Sequence, residues 1–230
     1  GPNLGYPVFP LLKPPRIALL RSDAFDTYAY GHAWHYLDQL WTSFYHALSP
    51  EKFFPKAADY SVAILPGGWS GGTEKQIRQL RDYVENGGTL IVLGSSVKVF
   101  GNSEFWNIEN KPYPDHMVHS DKPGGIVTTQ EWNRGDRLQQ GMSDRYYALV
   151  RGNQRLVWDE KLAVLGHSDE AAYVCGYVTD RFQDYLKGTM GVARESAGKG
   201  EGLFFVDDPL FRGFWSRGHQ LMTNAILFKP

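Results

Sequence analysis

The sequence predicts a three-layer α/β domain: a mainly parallel, doubly wound, flavodoxin-like sheet with additional β-rich elements in the C-terminal half. Three observations predict it. Tyr60 to Gly101 reads in order as strand, glycine-rich turn, helix, strand and a second sharp turn. An apolar strand, RIALLRS (Arg16 to Ser22), precedes a stretch of helical period. Two strand-helix-strand units with short connections point to parallel strands, which need crossovers whose helices cover both faces of the sheet. Right-handed crossovers bring the turns after Ser22, Pro66 and Gly94 to one edge.

Taken in order, residues 1–15 (GPNLGYPVFPLLKPP) are rich in proline and glycine and read as a linker or the scar of a cleaved tag. They lack the basic and apolar regions of a signal peptide, so any leader is expected upstream in a longer polypeptide. Residues 16–230 read as a single domain. After RIALLRS, the polar DAFDTYAYG reads as a loop, and His32 to Leu48 as a helix carrying Trp34, Leu37, Trp41, Phe44 and Leu48 on one face. Ser49-Pro50 stops it, and EKFFPKAAD leads into the strand YSVAILP. Thr73 is a fitting N-cap for EKQIRQLRDYVENGG, in which Ile77, Leu80 and Val84 form the buried stripe and Gly87-Gly88 the stop. The strand TLIVLG follows at once. Residues 102–122, polar and aromatic without a period, read as an excursion or lid. Beyond Gly125 the runs KLAVLGH and AAYVCGYV are β-like, YLKGTMGVARESAGKGEGLFFVDDP reads as two strands joined at SAGKGEG, and SRGHQLMTNAILF as a terminal helix.

Composition narrows the function classes. With 42% apolar and 21% charged residues the chain has the makings of an ordinary folded core, and a formal charge of -1 supplies no general attraction to nucleic acid or anionic membrane. No run approaches the ~18 to 20 apolar residues of a membrane-spanning helix. One cysteine, Cys175, excludes an internal disulfide, and its apolar setting predicts a buried, inert thiol.

The candidate chemistry lies at the predicted turns. In PGGWSGG (Pro66 to Gly72) the glycines let backbone amides approach a ligand, so Gly67 and Gly68 could hold an oxyanion, but the lysine and spacing of a phosphate-binding P-loop are missing. In LGSSVKVFG, Ser96 stands where a nucleophile at a strand-to-helix elbow would, with Gly94 two residues before it but Lys98, not glycine, two after. No histidine is assignable as its base. Ser95, Ser96 and Trp69, the last a possible wall for a sugar, peptide or partner chain, are ligand-binding candidates. His32 and His35 lack the carboxylate of an H-E-x-x-H zinc site. The pairs Asp207-Asp208 and His167/Asp169 follow strand-like runs and could face a cleft. No metal site and no catalytic set is complete.

The order ILPGG, helix, GGTLIVLGSS, then GKGEGLFFVDDPLFRGFW and LMTNAILF resembles the class I glutamine amidotransferase superfamily over about Arg16 to Phe228. It is similar in particular to the amidotransferase-like domain C-terminal to the catalytic domain of some bacterial zinc carboxypeptidases of the M14 family. The resemblance implies a G-x-C-x-G elbow in which Ser96 replaces the cysteine and Lys98 the second glycine, and a late H-P-E-like motif replaced by Asp208-Pro209-Leu210. It implies that glutamine hydrolysis is lost. It further implies an exported, non-catalytic accessory domain that docks or binds at the carboxyl edge of its sheet. A sister catalytic domain on the same polypeptide would hold the zinc, and no cofactor is expected in this chain. The alternatives are a serine-dependent hydrolase using Ser96 with Gly67 and Gly68 as oxyanion amides, or a sugar- or peptide-binding module around Trp69.

Overall fold

The computed structural model describes residues 13–133, 135–167, 173–213 and 215–228. The proposed linker therefore falls mostly outside the described residues, as does Asp169. In chain order the elements are β1 (Ile17–Leu20), α1 (Thr27–Leu40), β2 (Tyr45–Leu48), α2 (Pro50–Phe53), β3 (Val62–Leu65), α3 (Glu74–Glu85), β4 (Thr89–Leu93) and α4 (Val97–Phe100). Then follow β5 (Ile126–Trp132), β6 (Arg145–Val150), β7 (Leu156–Val157), β8 (Ala163–His167), β9 (Tyr173–Gly176), α5 (Asp180–Leu186), β10 (Thr189–Ala197), β11 (Gly200–Phe205) and α6 (Ser216–Leu227).

One mixed sheet runs β2-β1-β3-β4-β11-β10-β8-β5-β6. From β2 to β11 every neighbouring pair is parallel. From β11 outward every pair is antiparallel, so the C-terminal half supplies the β-rich extension. Because β2 and β3 leave β1 in opposite directions, the order reverses there, and such a switch opens a crevice at the carboxyl ends of the strands.

Alternation along the strands divides the core. Ile17, Leu19, Val62, Ile64, Ile91, Leu203 and Phe205 pack on one face beneath α1 and α6, through Ala33, Leu37, Leu221 and Met222. Ala18, Leu20, Ala63, Leu65, Leu90, Val92 and Phe204 pack on the other, beneath α3 and the short α2 and α4, through Leu80, Val84, Phe53 and Phe100. Both faces being covered, the parallel strands read as unbroken apolar runs. The reading of α3 holds in detail: Thr73 and Gln76 form a reciprocal capping box, and Ile77, Leu80 and Val84 are buried.

The first helix differs from its sequence reading. Asp26 caps it by accepting a 2.8 Å bond from the Ala29 N–H, so DAFDTYAYG is partly the first turns of α1, not a loop. It ends at Leu40, and Tyr45–Leu48 becomes an edge strand registered against β1. The buried positions are Ala33, Tyr36 and Leu37, while Trp34 and Phe44 are 44% and 42% exposed. Pairing with β1 outweighed a helical period carried mostly by large aromatics.

Residues 102–122 are no lid over the carboxyl edge. Trp106 and Ile108 are buried against Phe100 and Phe204, and Asn107 donates through backbone and side chain to the buried Glu195, so the segment straps one sheet face. Cys175, expected to be buried, is exposed on β9, which pairs with β5. Among the described residues no helix is long and apolar enough to cross a membrane.

His167, one of the histidines considered for chemistry, is buried between β5 and β10. Thr189 donates its hydroxyl to the Leu186 carbonyl at 2.7 Å, so it accepts from Nδ1 of His167, and Nε2 accepts from Thr128 at 2.9 Å. Both ring nitrogens are satisfied in the neutral imidazole. Burial first, then the charges of Arg155 and Lys111, lowers its pKa from 6.5 to about 3. The unfolded chain takes up this proton near the ordinary value and the folded one does not. Stability from this site is full above pH 6.5 and is lost as pH falls toward about 3. Urea unfolding between pH 7 and 4 should show His167→Gln with a shallower acid slope than the parent, the difference reaching about 1.4 kcal/mol per pH unit. Parallel slopes would refute a buried neutral imidazole.

Candidate functional site

The carboxyl ends of β1, β3, β4 and β11 open on a cleft of about 650 Å3, within the usual range of small-ligand sites. Its floor is the pair of turns after β3 and β4. Gly68 has φ +92, and a Cβ there would lie 2.3 Å from the Asp26 nitrogen, so only glycine lets this turn approach the start of α1. The Asp26 N–H donates to the Gly67 carbonyl at 3.0 Å, closing the approach.

Two serines fasten one turn to the other. Ser95 Oγ accepts from the Gly68 N–H at 2.9 Å, and Ser96 Oγ accepts from the Trp69 N–H at 2.8 Å while donating to the Pro66 carbonyl at 2.5 Å. The Gly68 amide, considered as an oxyanion donor, is thus already engaged. Ser96 is fully buried, with ordinary helical backbone at φ -65. Its proton goes to a carbonyl, so the hydroxyl has the geometry of a structural clamp and not of a nucleophile. The residue directly after β4 with a left-handed backbone is Gly94, φ +56. At such an elbow the strained position carries the nucleophile; it falls here on Gly94, which has no side chain, and not on Ser96, where the sequence placed it. Trp69 is not a wall of the cleft: it is 4% exposed and packs against Phe25 and Phe100, with Gly72 closed over its ring.

The opposite wall follows β11. Asp207 accepts from buried Arg155 at 2.9 Å and from Gln130 of β5 at 3.2 Å. Burial pushes its carboxyl above the ordinary carboxylate range, against the lowering by Arg155. Asp208 accepts from the Leu210 N–H at 2.9 Å and pairs through Oδ2 with His32 Nδ1 at 2.7 Å. The His32 ring meets Phe211 edge-on, with centroids 5.1 Å apart. Two guanidinium groups lie on that same Phe211 ring, Arg151 at 4.1 Å and Arg212 at 5.2 Å from the centroid. Lys98, one turn past the elbow, also lines the cleft.

The predicted edge therefore exists and gathers Gly67, Gly68, Gly94, Ser95 and the Asp207-Asp208 pair, while Ser96 and Trp69 lie beneath it. Sequence reasoning missed the partnership of His32 with Asp208 and the cationic wall of Arg151 and Arg212. Only the polar segment after β6 and the F-R-G sequence hinted at the latter. His35 instead meets Gln39 on the exposed side of α1, 3.1 Å apart.

A mixed sheet whose parallel half has this order, with its cleft at the switch point, is a flavodoxin-like fold, of the glutamine amidotransferase type that similar solved structures share. Solved structures agree. PurLQS from Thermotoga maritima superposes with a TM-score of 0.61 at 12% identity, over 93% of this chain and 98% of that one. A ThuA-like protein of Bacteroides uniformis gives 0.57 at 14% identity, over 96% and 94%. A GMP synthase subunit from Thermoplasma acidophilum gives 0.58 at 8% identity, over 92% of each. Neither a protein-family model nor a curated protein sequence matches the chain.

Removal of the Ser96 hydroxyl leaves a buried amide and carbonyl unpaired. Ser96→Ala is expected to cost about 1–3 kcal/mol in urea unfolding, and Ser95→Ala, at an exposed bond, about 1 kcal/mol or less. Equal costs, or a neutral Ser96→Ala, would show that the clamp is unimportant.

Proposed function

We propose that this chain is a non-catalytic accessory domain that uses the cleft at the carboxyl edge of its sheet for binding or docking. The observation that carries the proposal is the glycine at the elbow: Gly94 occupies the strained position, and the nearby Ser96 hydroxyl is committed to the Pro66 carbonyl. What remains is a cleft of ligand size whose acidic groups are held by the fold.

The sequence resemblance supports placing the domain beside a zinc carboxypeptidase of the M14 family. In that setting it is exported with its parent enzyme, and the zinc and catalytic residues belong to the sister domain. The cleft would then face either that domain or a ligand presented to it. The serine-hydrolase reading draws no support from buried Ser96, whose hydroxyl is bonded to two backbone groups, nor the glycan or peptide reading from buried Trp69.

Three measurements test this. A fluorophosphonate probe should leave the domain unlabelled, and glutamine should not be hydrolysed. Hydrogen exchange of the full-length polypeptide, compared with the isolated domain, should show protection at residues 66–68, 94–98 and 206–212. Labelling that disappears in Ser96→Ala, or protection confined to the opposite edge of the sheet, would overturn the proposal.

A further inference from the structure

The cleft carries an imbalance of partners. Each acid lining it is engaged within the fold: Asp26 caps α1, Asp207 holds Arg155 and Gln130, and Asp208 holds His32 and the Leu210 amide. Arg155 apart, the cations are not: among the described residues Arg151, Arg212 and Lys98 have no carboxylate partner, although all three line the cleft. Two guanidinium groups are nonetheless brought to one aromatic ring, which bounds their separation. Like charges gathered in this way repel unless an anion joins them.

The backbone supplies a second, independent observation. Arg212 has φ +52, and among the described residues it is the only non-glycine with a left-handed backbone. Glycine suits that conformation and arginine does not, and strain of this sort collects at ligand sites. Its neighbour Gly213 also has positive φ, so the F-R-G turn is bent to hold the arginine where it stands.

We infer that the Arg151–Phe211–Arg212 wall is the recognition site for a small organic anion, a carboxylate or a phosphate monoester. The planar forks of the two arginines can each donate paired hydrogen bonds to such a group, and the Phe211 ring holds both beside the cleft. Lys98 adds a third positive charge from the β4 turn. His32, anchored by Asp208 through Nδ1, offers Nε2 to the ligand's polar body. The inference rests on the cleft being a binding site, and it names what binds.

Calorimetric titration and thermal shift with phenyl phosphate, succinate and neutral glycerol test it. At least one anion should bind saturably and raise Tm, and glycerol should not. Affinity should fall at least about tenfold in Arg151→Gln and in Arg212→Gly. The glycine variant relieves the left-handed strain and so should remain folded, which its unfolding midpoint will show. Lys199→Gln, a remote and exposed control, should bind as the parent does. Preference for phenyl phosphate assigns a phosphate ligand; preference for succinate assigns a carboxylate. Absence of anion binding, or equal binding by parent and both arginine variants, would overturn the inference. If the exchange experiment still showed cleft protection by the sister domain, the docking function would survive that result. Conversely, Ser96-dependent labelling would sink the non-catalytic reading without touching the arginine result.

Discussion

The buried carboxylate of Asp207 is the joint between the two halves of this sheet. It stands just beyond β11, the last parallel strand, and takes hydrogen bonds from Gln130 on antiparallel β5 and from Arg155 in the segment between β6 and β7. Arg155 is 2% exposed, and taking two such groups from water costs several kcal/mol each before their attraction repays any of it. Their value here is positional. The pair fixes where the strand end lies relative to residues 151–155, and thereby sets Arg151 opposite the turn that carries Asp208, Phe211 and Arg212. Without this joint the parallel half would still have its floor of glycine turns, but no second wall.

The floor obeys a separate constraint, the close approach of backbone to backbone. Gly68 must have no side chain because Asp26 occupies that space, and Ser95 and Ser96 then bind the turn from below. These contacts are made by main-chain amides and two small hydroxyls, so they hold their shape without help from a ligand. A site built in this way is rigid on its floor and charged on its wall. Binding free energy for the proposed anion would therefore not be spent on ordering the cleft.

Much of the frame was legible because it follows from local period and turn chemistry. The apolar runs of β1, β3 and β4, the capping box of α3 and the glycines ending it all speak through neighbours a few residues away. The hairpin of β10 and β11 was legible for the same reason. Failures came where distant pairing decided. Tyr45–Leu48 could continue a helix or join β1, and only the vacant edge of β1 settles it. The apolar surroundings of Cys175 suggested burial, yet β9 lies exposed against β5. His32 and Asp208, 176 residues apart, gave no sign of their contact, since neither has a spacing that implies the other. The arginine wall is a product of tertiary placement alone.

The elbow after β4 shows how a position can be closed to a side chain by conformation and not by space. Space does not exclude a side chain at Gly94: a Cβ there would find its nearest neighbour, the Gly67 Cα, at 3.9 Å. The exclusion is conformational, because φ +56 is costly by about 1 kcal/mol for any residue with a Cβ. An enzyme that needs a nucleophile accepts that strain for the reactivity it brings. In this chain the left-handed position after β4 is glycine and strain-free, and the non-glycine strain lies instead at Arg212 across the cleft. Strain at a cationic side chain, with none at the turn after β4, is what the proposed anion-binding cleft requires.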